Sequence, residues 1–158
     1  MRNTIILVLA FSFLILFYSL FYCQAKFKDV SQGEKYAHLI DQRYITVKEL
    51  LINGITTDRN YKEQIDYYDL NEPPGIGGPE VISEGHLMPS TLIQIKKVIE
   101  CTNCLPSLIE LEIEILSEEK YRDHPVRMEE HEYKIEYKNG KAEINSEWLG
   151  AVPERMED

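Results

Sequence analysis

Leu108-Ile109-Glu110-Leu111-Glu112-Ile113-Glu114-Ile115-Leu116 is the cleanest period-2 run in the chain. Ile109, Leu111, Ile113 and Ile115 point to one side, and Glu110, Glu112 and Glu114 to the other. A strand with one apolar and one charged face belongs to a sheet that buries one side only, the usual situation of an antiparallel sheet. The three carboxylates repeat at roughly 6–7 Å, a separation at which glycosidase carboxylates are found. A row on a wet face has no apolar pocket to raise one pKa, so these glutamates are expected to be solvated.

The segments on either side extend the β reading. Residues 132–145 form a hairpin around Asn139-Gly140, the dipeptide that best fits a two-residue turn with positive φ. In that register Lys138 faces Lys141, Tyr137 faces Ala142 and Ile135 faces Ile144. Tyr133, Ile135, Tyr137, Ala142 and Ile144 then share a face, and Glu136 meets Glu143 on the other. Residues 91–101 alternate until Lys97-Val98 breaks the phase, which predicts a bulge. Residues 43–47 and 64–70 read as strands, with Tyr67 and Tyr68 on opposite faces. Residues 49–55 fit a short helix or a strand, and 80–83 a short strand turned at Glu84-Gly85. Residues 125–128 suggest an edge strand. One or two helical turns are expected over 34–40, and Trp148 is expected to cap one end of the core.

Many short strands with frequent turn signals predict a mainly β fold, a small antiparallel barrel or sandwich with one or two short helices. Residues 84–95 (EGHLMPSTLIQI) faintly resemble the middle of an SH3-like barrel, where a Gly-containing turn leads into an alternating strand. That likeness covers a dozen residues and implies no function. The domain plan is a signal or anchor at 1–25, a polar linker at 26–33, a β domain at 34–150 and an acidic tail at 151–158.

Residues 4–22 (TIILVLAFSFLILFYSLFY) contain no charge and follow Arg2. A positive start followed by an apolar run is the layout of a secretory signal. The run is also nearly long enough to span a bilayer as a helix, with Phe17, Tyr18, Phe21 and Tyr22 crowding its far end as interfacial aromatics would. Three readings stand: cleavage after Cys23-Gln24-Ala25, an uncleaved anchor, or a lipid-modified Cys23. All of them place residues 26–158 outside the cytoplasm, at a cell envelope or beyond it.

The whole chain carries 17 Lys+Arg against 27 Asp+Glu, a net charge of −10. Arg2 is the only charged side chain in the first 25 residues, so the exported part is more acidic still. Such a surface excludes nucleic-acid binding by phosphate neutralisation and favours a neutral or basic protein partner. With 44% hydrophobic residues the chain is not a disordered acidic tail.

Few motifs carry chemistry. Cys101-Thr102-Asn103-Cys104 leaves one strand and is followed by Leu105-Pro106-Ser107 and another strand. A reactive dithiol needs a helix N-terminus to stabilise the thiolate, and a zinc site needs two more ligands. In an oxidising compartment the pair reads as a disulfide closing the loop. His38, His86, His124 and His131 match no metal-ligand spacing. Glu129-Glu130-His131-Glu132 is a charged turn, so neither metal nor cofactor is expected. No P-loop, nucleophile elbow or HExxH motif occurs. The main binding candidate is Tyr67-Tyr68 running into residues 71–79 (NEPPGIGGP), where Pro73 and Pro74 stiffen a loop that presents Ile76. The reading that follows is an exported, non-catalytic binding protein of immunity or inhibitor type. A thiol-redox enzyme using Cys101 and Cys104 and a purely structural envelope protein are the alternatives.

Overall fold

A computed structural model of the protein describes residues 25–58, 60, 63–75, 77–130 and 135–152. The apolar run 4–22, Cys23, Ile76, His131, Tyr133 and residues 153–158 lie outside the described residues. The described chain forms β1 (Phe27–Asp29), β2 (Arg43–Thr46), β3 (Leu50–Ile55), β4 (Tyr67–Asn71), β5 (Val81–Leu87) and β6 (Leu92–Cys101). It continues with β7 (Ile109–Ile115), β8 (Val126–Glu129), β9 (Ile135–Lys138), β10 (Lys141–Ile144) and β11 (Leu149–Ala151). Single 3-10 turns occur at Ala37–Leu39 and Glu119–Tyr121. Strand accounts for 48% of the described residues and helix for 5%, so the protein is mainly β.

Nine strands make one sheet in the order β11-β2-β6-β7-β8-β4-β3-β5, with β1 also on β6. The order does not return on itself, so the sheet is open and the expected barrel does not close. It is not purely antiparallel either: β4 and β8 run parallel, Tyr68 opposite Val126 and Asp69 opposite Arg127. β8 is therefore an interior strand and not the expected edge. Pro125 stands just before the strand, where a missing N–H costs no ladder bond, and its carbonyl accepts the Tyr68 N–H.

Two further boundaries differ from the sequence reading. β5 runs straight through Glu84-Gly85. Gly85 marks a close approach and not a turn: a Cβ there would sit 2.8 Å from the Tyr121 hydroxyl and 3.2 Å from Ile52 Cγ2. β5 pairs with β3 and not with β6, so the segment that resembles an SH3-like barrel joins two strands that are not sheet neighbours. Residues 26–33, read as a polar linker, include β1, whose Phe27 lies opposite Cys101.

The core is one cluster. β6 supplies Ile93, Ile95 and Val98, β7 supplies Leu111, Ile113 and Ile115, and β8 supplies Val126 and Met128, with Leu50, Ile52, Leu70 and Leu87 from β3, β4 and β5. Trp148 is 5% exposed and belongs to the same cluster. The β9–β10 hairpin has the predicted register, Lys138 to Lys141 through Ile135 to Ile144. Asn139 (φ 52°) and Gly140 (φ 79°) both take positive φ. Ile135 and Ala142 are buried, whereas Tyr137 stays 44% exposed. Lys138 reaches both Glu136 (3.2 Å) and Glu143 (3.0 Å), which relieves that like-charge pair. The hairpin docks through the Ala142 N–H on the Lys35 carbonyl and His38 Nε2 on the Ala142 carbonyl.

The bulge falls between Ile95 and Lys97 in the β6–β7 register. It changes which side chains face which way. Ile93 and Ile95 point to the core before it and Val98 after it, so Ile99 and Cys101 turn to the outer face. The Val98 N–H donates to Ser31 Oγ at 2.9 Å, so the broken phase leaves no orphan there.

Candidate functional site

The outer face of β3, β4, β8 and β7 is not the wet surface that the glutamate row suggested. Glu110 is only 7% exposed, Asp69 7%, Asn71 8% and Asn53 2%. The cover has three sources. Ile99, swung outward by the bulge, lies opposite Glu110 in the β6–β7 register. Phe27 on β1 reaches Arg127, its ring centre 5.2 Å from the guanidinium, and Tyr67 stacks on the same group at 4.6 Å. Over β3, the loop after β4 turns back so closely that a Cβ on Gly75 would lie 2.7 Å from Leu51 Cδ1. Gly75 also holds φ 73°, a conformation open to glycine at little cost.

Glu110 and Arg127 are the charged pair within this layer, Oε2 to Nη1 at 3.6 Å. Glu110 Oε2 and Arg127 Nε are buried with no hydrogen-bond partner. Burial pushes the Glu110 carboxyl up to about 7. Arg127 opposes that rise, and the nearby Glu129, Asp69 and Glu112 carboxylates add to it. Asn71 Nδ2 donates to the Asp69 carboxylate. Glu112 is half-buried and pairs with Lys97 at 3.5 Å. The cluster can hold a proton near neutral pH, but its members are enclosed by Ile99, Phe27 and Tyr67. A separate groove of about 310 Å³ lies beside it, lined among others by Lys96, Glu112, Glu114, Arg122 and His124.

The two predicted binding tyrosines lie on opposite faces and each makes ring contacts within the domain. Tyr67 covers Arg127, while Tyr68 meets Tyr121 edge-on at 4.9 Å and His124 at 6.1 Å. Both are half-buried. Pro73 and Pro74 are exposed at the far end of β4, and Ile76 lies outside the described residues.

Glu72, just before Pro73 and Pro74, reaches a rim that the sequence does not single out. Glu72 pairs with Lys48 at 3.8 Å, and Lys48 lies 4.2 Å from the centre of the Trp148 ring. Val47 binds the Trp148 carbonyl through its N–H. Its neighbour Thr46 donates to the Met88 carbonyl at 2.7 Å. Val47 (45% exposed) and Met88 (61%) are both exposed at the strand ends that these bonds tie together. Glu49 and His86 pair at 2.7 Å on the same rim. Both apolar residues lie in connections between strands, where period-2 patterning gives no signal.

Cys101 and Cys104 form the expected disulfide, Cα to Cα 5.5 Å, across the start of the β6–β7 connection. Leu105, just beyond it, is 99% exposed. Among the described residues no group of three or more His, Cys, Asp or Glu side chains could hold a metal ion, and no helix is long and apolar enough to cross a membrane. No protein-family model, no curated protein and no solved structure matches the chain.

Proposed function

We propose that the protein is an exported, acidic binding protein of the cell envelope that covers a neutral or basic protein partner, in the manner of an immunity or inhibitor protein. Residues 4–22 direct it to the membrane, as a cleaved signal or as an uncleaved N-terminal helix. The β domain stands outside the cytoplasm, where the Cys101–Cys104 disulfide persists. The observation that carries the binding role is the rim, where Val47 and Met88 are exposed and Lys48 pairs with Glu72 at the start of the exposed Pro73-Pro74 loop. Apolar side chains ringed by polar groups at a loop-built edge are the usual make-up of a contact surface. The chain's charge of −10 would speed encounter with a basic partner.

The test is capture from envelope extract at low salt with the full chain and with Met88→Asp. The expected result is a partner that elutes as salt is raised and is lost from the Met88→Asp sample, while both proteins melt alike. Identical capture by the two proteins, or none by either, rejects the proposal.

A further inference from the structure

We infer that the disulfide-closed loop at Cys101–Cys104 is a foot that rests on the membrane surface and puts Leu105 among the lipid headgroups. This rests on the anchored form of the function proposed above. Its own basis is the way the loop is tied to the chain just after the apolar run. The Thr102 N–H donates to the Lys26 carbonyl at 2.8 Å, and the Thr102 hydroxyl donates to the same carbonyl at 3.0 Å. In return the Lys26 N–H donates to Asn103 Oδ1 at 2.7 Å. Phe27 continues this contact as a strand partner of Cys101.

Chain length then limits where the loop can be. Tyr22, the last residue of the apolar run 4–22, is four residues before Lys26. Four residues reach at most about 14 Å. The headgroup layer on each side of the hydrocarbon is roughly 5–8 Å thick. A domain whose Lys26 is bonded to Thr102 and Asn103 must therefore hold that loop in the headgroup layer or just above it.

The side chains presented there fit a lipid surface. Leu105 is 99% exposed, the most exposed of the large hydrophobic residues described, and Pro106 beside it is also exposed. A fully exposed leucine in water serves no packing purpose, whereas at an interface it buries its apolar surface. Lys26 and Lys28 are exposed at the same end and suit phosphate groups. Glu100 lies opposite Lys28 in the β1–β6 register and accepts a bond from Ser107 at 3.3 Å, so its carboxylate is engaged. One leucine alone does not hold a domain on a bilayer. A tether of four residues supplies the high effective concentration that makes so weak a contact persist.

β6 also sets the domain's orientation. From Cys101 it runs ten residues back to Leu92, up to about 30 Å of strand. Its far end meets the Thr46–Met88 rim through the Thr91 N–H on Thr46 Oγ1. With the disulfide loop on the lipid, Val47 and Met88 point away from the membrane.

The experiment reconstitutes the full chain into vesicles of phosphatidylcholine with a minor share of phosphatidylglycerol, with and without bromine on the acyl chains. Trp148, the sole tryptophan, is buried and gives the baseline emission. The Leu105→Trp variant adds a second emitter at the loop, and Met88→Trp adds one at the rim. The expected result is flotation of all proteins with the vesicles, and loss of the added emission in brominated vesicles for Leu105→Trp only. Flotation without that quenching overturns the foot and leaves the anchor standing. Equal quenching of Met88→Trp overturns it as non-specific adsorption. Failure to float overturns the anchor, and the foot with it.

Discussion

Glu110 and Arg127 meet at 3.6 Å, side by side on a sheet face whose sequence promises open water and whose structure largely covers the carboxylate. Their strands pair Glu110 with Glu129 and Glu112 with Arg127, so Arg127 sits diagonally across from the carboxylate it serves. The pair is buried because the β6 bulge turns Ile99 outward and because Phe27 and Tyr67 close over the guanidinium. Both charges thus lose hydration, and the carboxylate is held up to about 7.

That raised pKa makes stability depend on pH in a defined sense. The folded carboxyl titrates near 7 against about 4.5 for an ordinary glutamate. Between those values the native state binds the proton more tightly than the unfolded chain does. Stability is therefore lost as pH rises through that window and is level above it. Glu110→Gln removes this term. Between pH 5 and pH 8 the wild type is expected to lose about 2 kcal/mol relative to the variant. Urea titrations of both proteins at the two pH values measure it, and parallel behaviour would show an unshifted Glu110.

Removing the other partner also destabilises the protein at neutral pH. Arg127→Met leaves Glu110 buried among the carboxylates of Glu129, Asp69 and Glu112 with its opposing charge gone. A carboxyl already held near 7 can take up a proton instead, so at pH 7.5 the electrostatic loss is limited to about 1 kcal/mol, and the lost contacts of the guanidinium with Phe27 and Tyr67 add to it. Arg127→Lys restores the charge but not the planar contact with Phe27 and Tyr67, so it recovers only part of the loss. Denaturant midpoints of the three proteins at pH 7.5 rank wild type above Lys above Met. A Met variant as stable as wild type would mean that Glu110 is protonated throughout.

The elements most legible in the sequence are those whose information is local. Asn139-Gly140 writes its own turn, and the alternation in residues 108–116 and 91–101 writes two strands and the bulge between them. What the bulge does is not local. It is visible at Lys97-Val98 as a broken phase, but that Ile99 then screens Glu110 depends on β7 lying alongside. Period-2 patterning separates two faces and does not say whether the second face is covered. β8 and β1 escape for a related reason: four and three residues carry too little pattern, and their placement is decided by β4, β7 and β6. The rim at Val47 and Met88 and the exposed Leu105 lie in connections, where sequence marks a turn but not what it presents.

The hairpin gives a prediction free of packing. A Cβ on Gly140 would meet no heavy atom within 4 Å beyond its own chain neighbours, so only the backbone at φ 79° resists substitution. Gly140→Ala is expected to cost about 1–2 kcal/mol through the left-handed conformation alone. Because the hairpin supplies Ile135 and Ala142 to the core, the loss appears in global denaturation and not as local fraying. A second variant, Asn139→Gly, should be neutral or slightly stabilising, since Asn139 holds φ 52°. Chemical denaturation followed by Trp148 fluorescence reads both, and a Gly140→Ala protein as stable as wild type would mean that the turn has another form.

The disulfide is expected to shape its loop more than to hold the fold. Cys101 and Cys104 are three residues apart, and closing so short a loop removes at most about 2 kcal/mol of unfolded-chain entropy. The Cys101→Ala/Cys104→Ala double variant should therefore fold, with a small drop in denaturant midpoint. The sharper effect falls on the contact with Lys26. Freed of the bridge, Thr102 and Asn103 hold Lys26 less tightly, and amide exchange at Thr102 and Lys26 should quicken while the Cys101 amide, bonded to the Leu108 carbonyl, changes less. The same pair of proteins separates a structural bridge from a thiol-redox centre. A structural bridge predicts no reduction of insulin disulfides by either protein in the presence of a small thiol. Turnover by the wild type that disappears in the double variant would move Cys101 and Cys104 from architecture to chemistry.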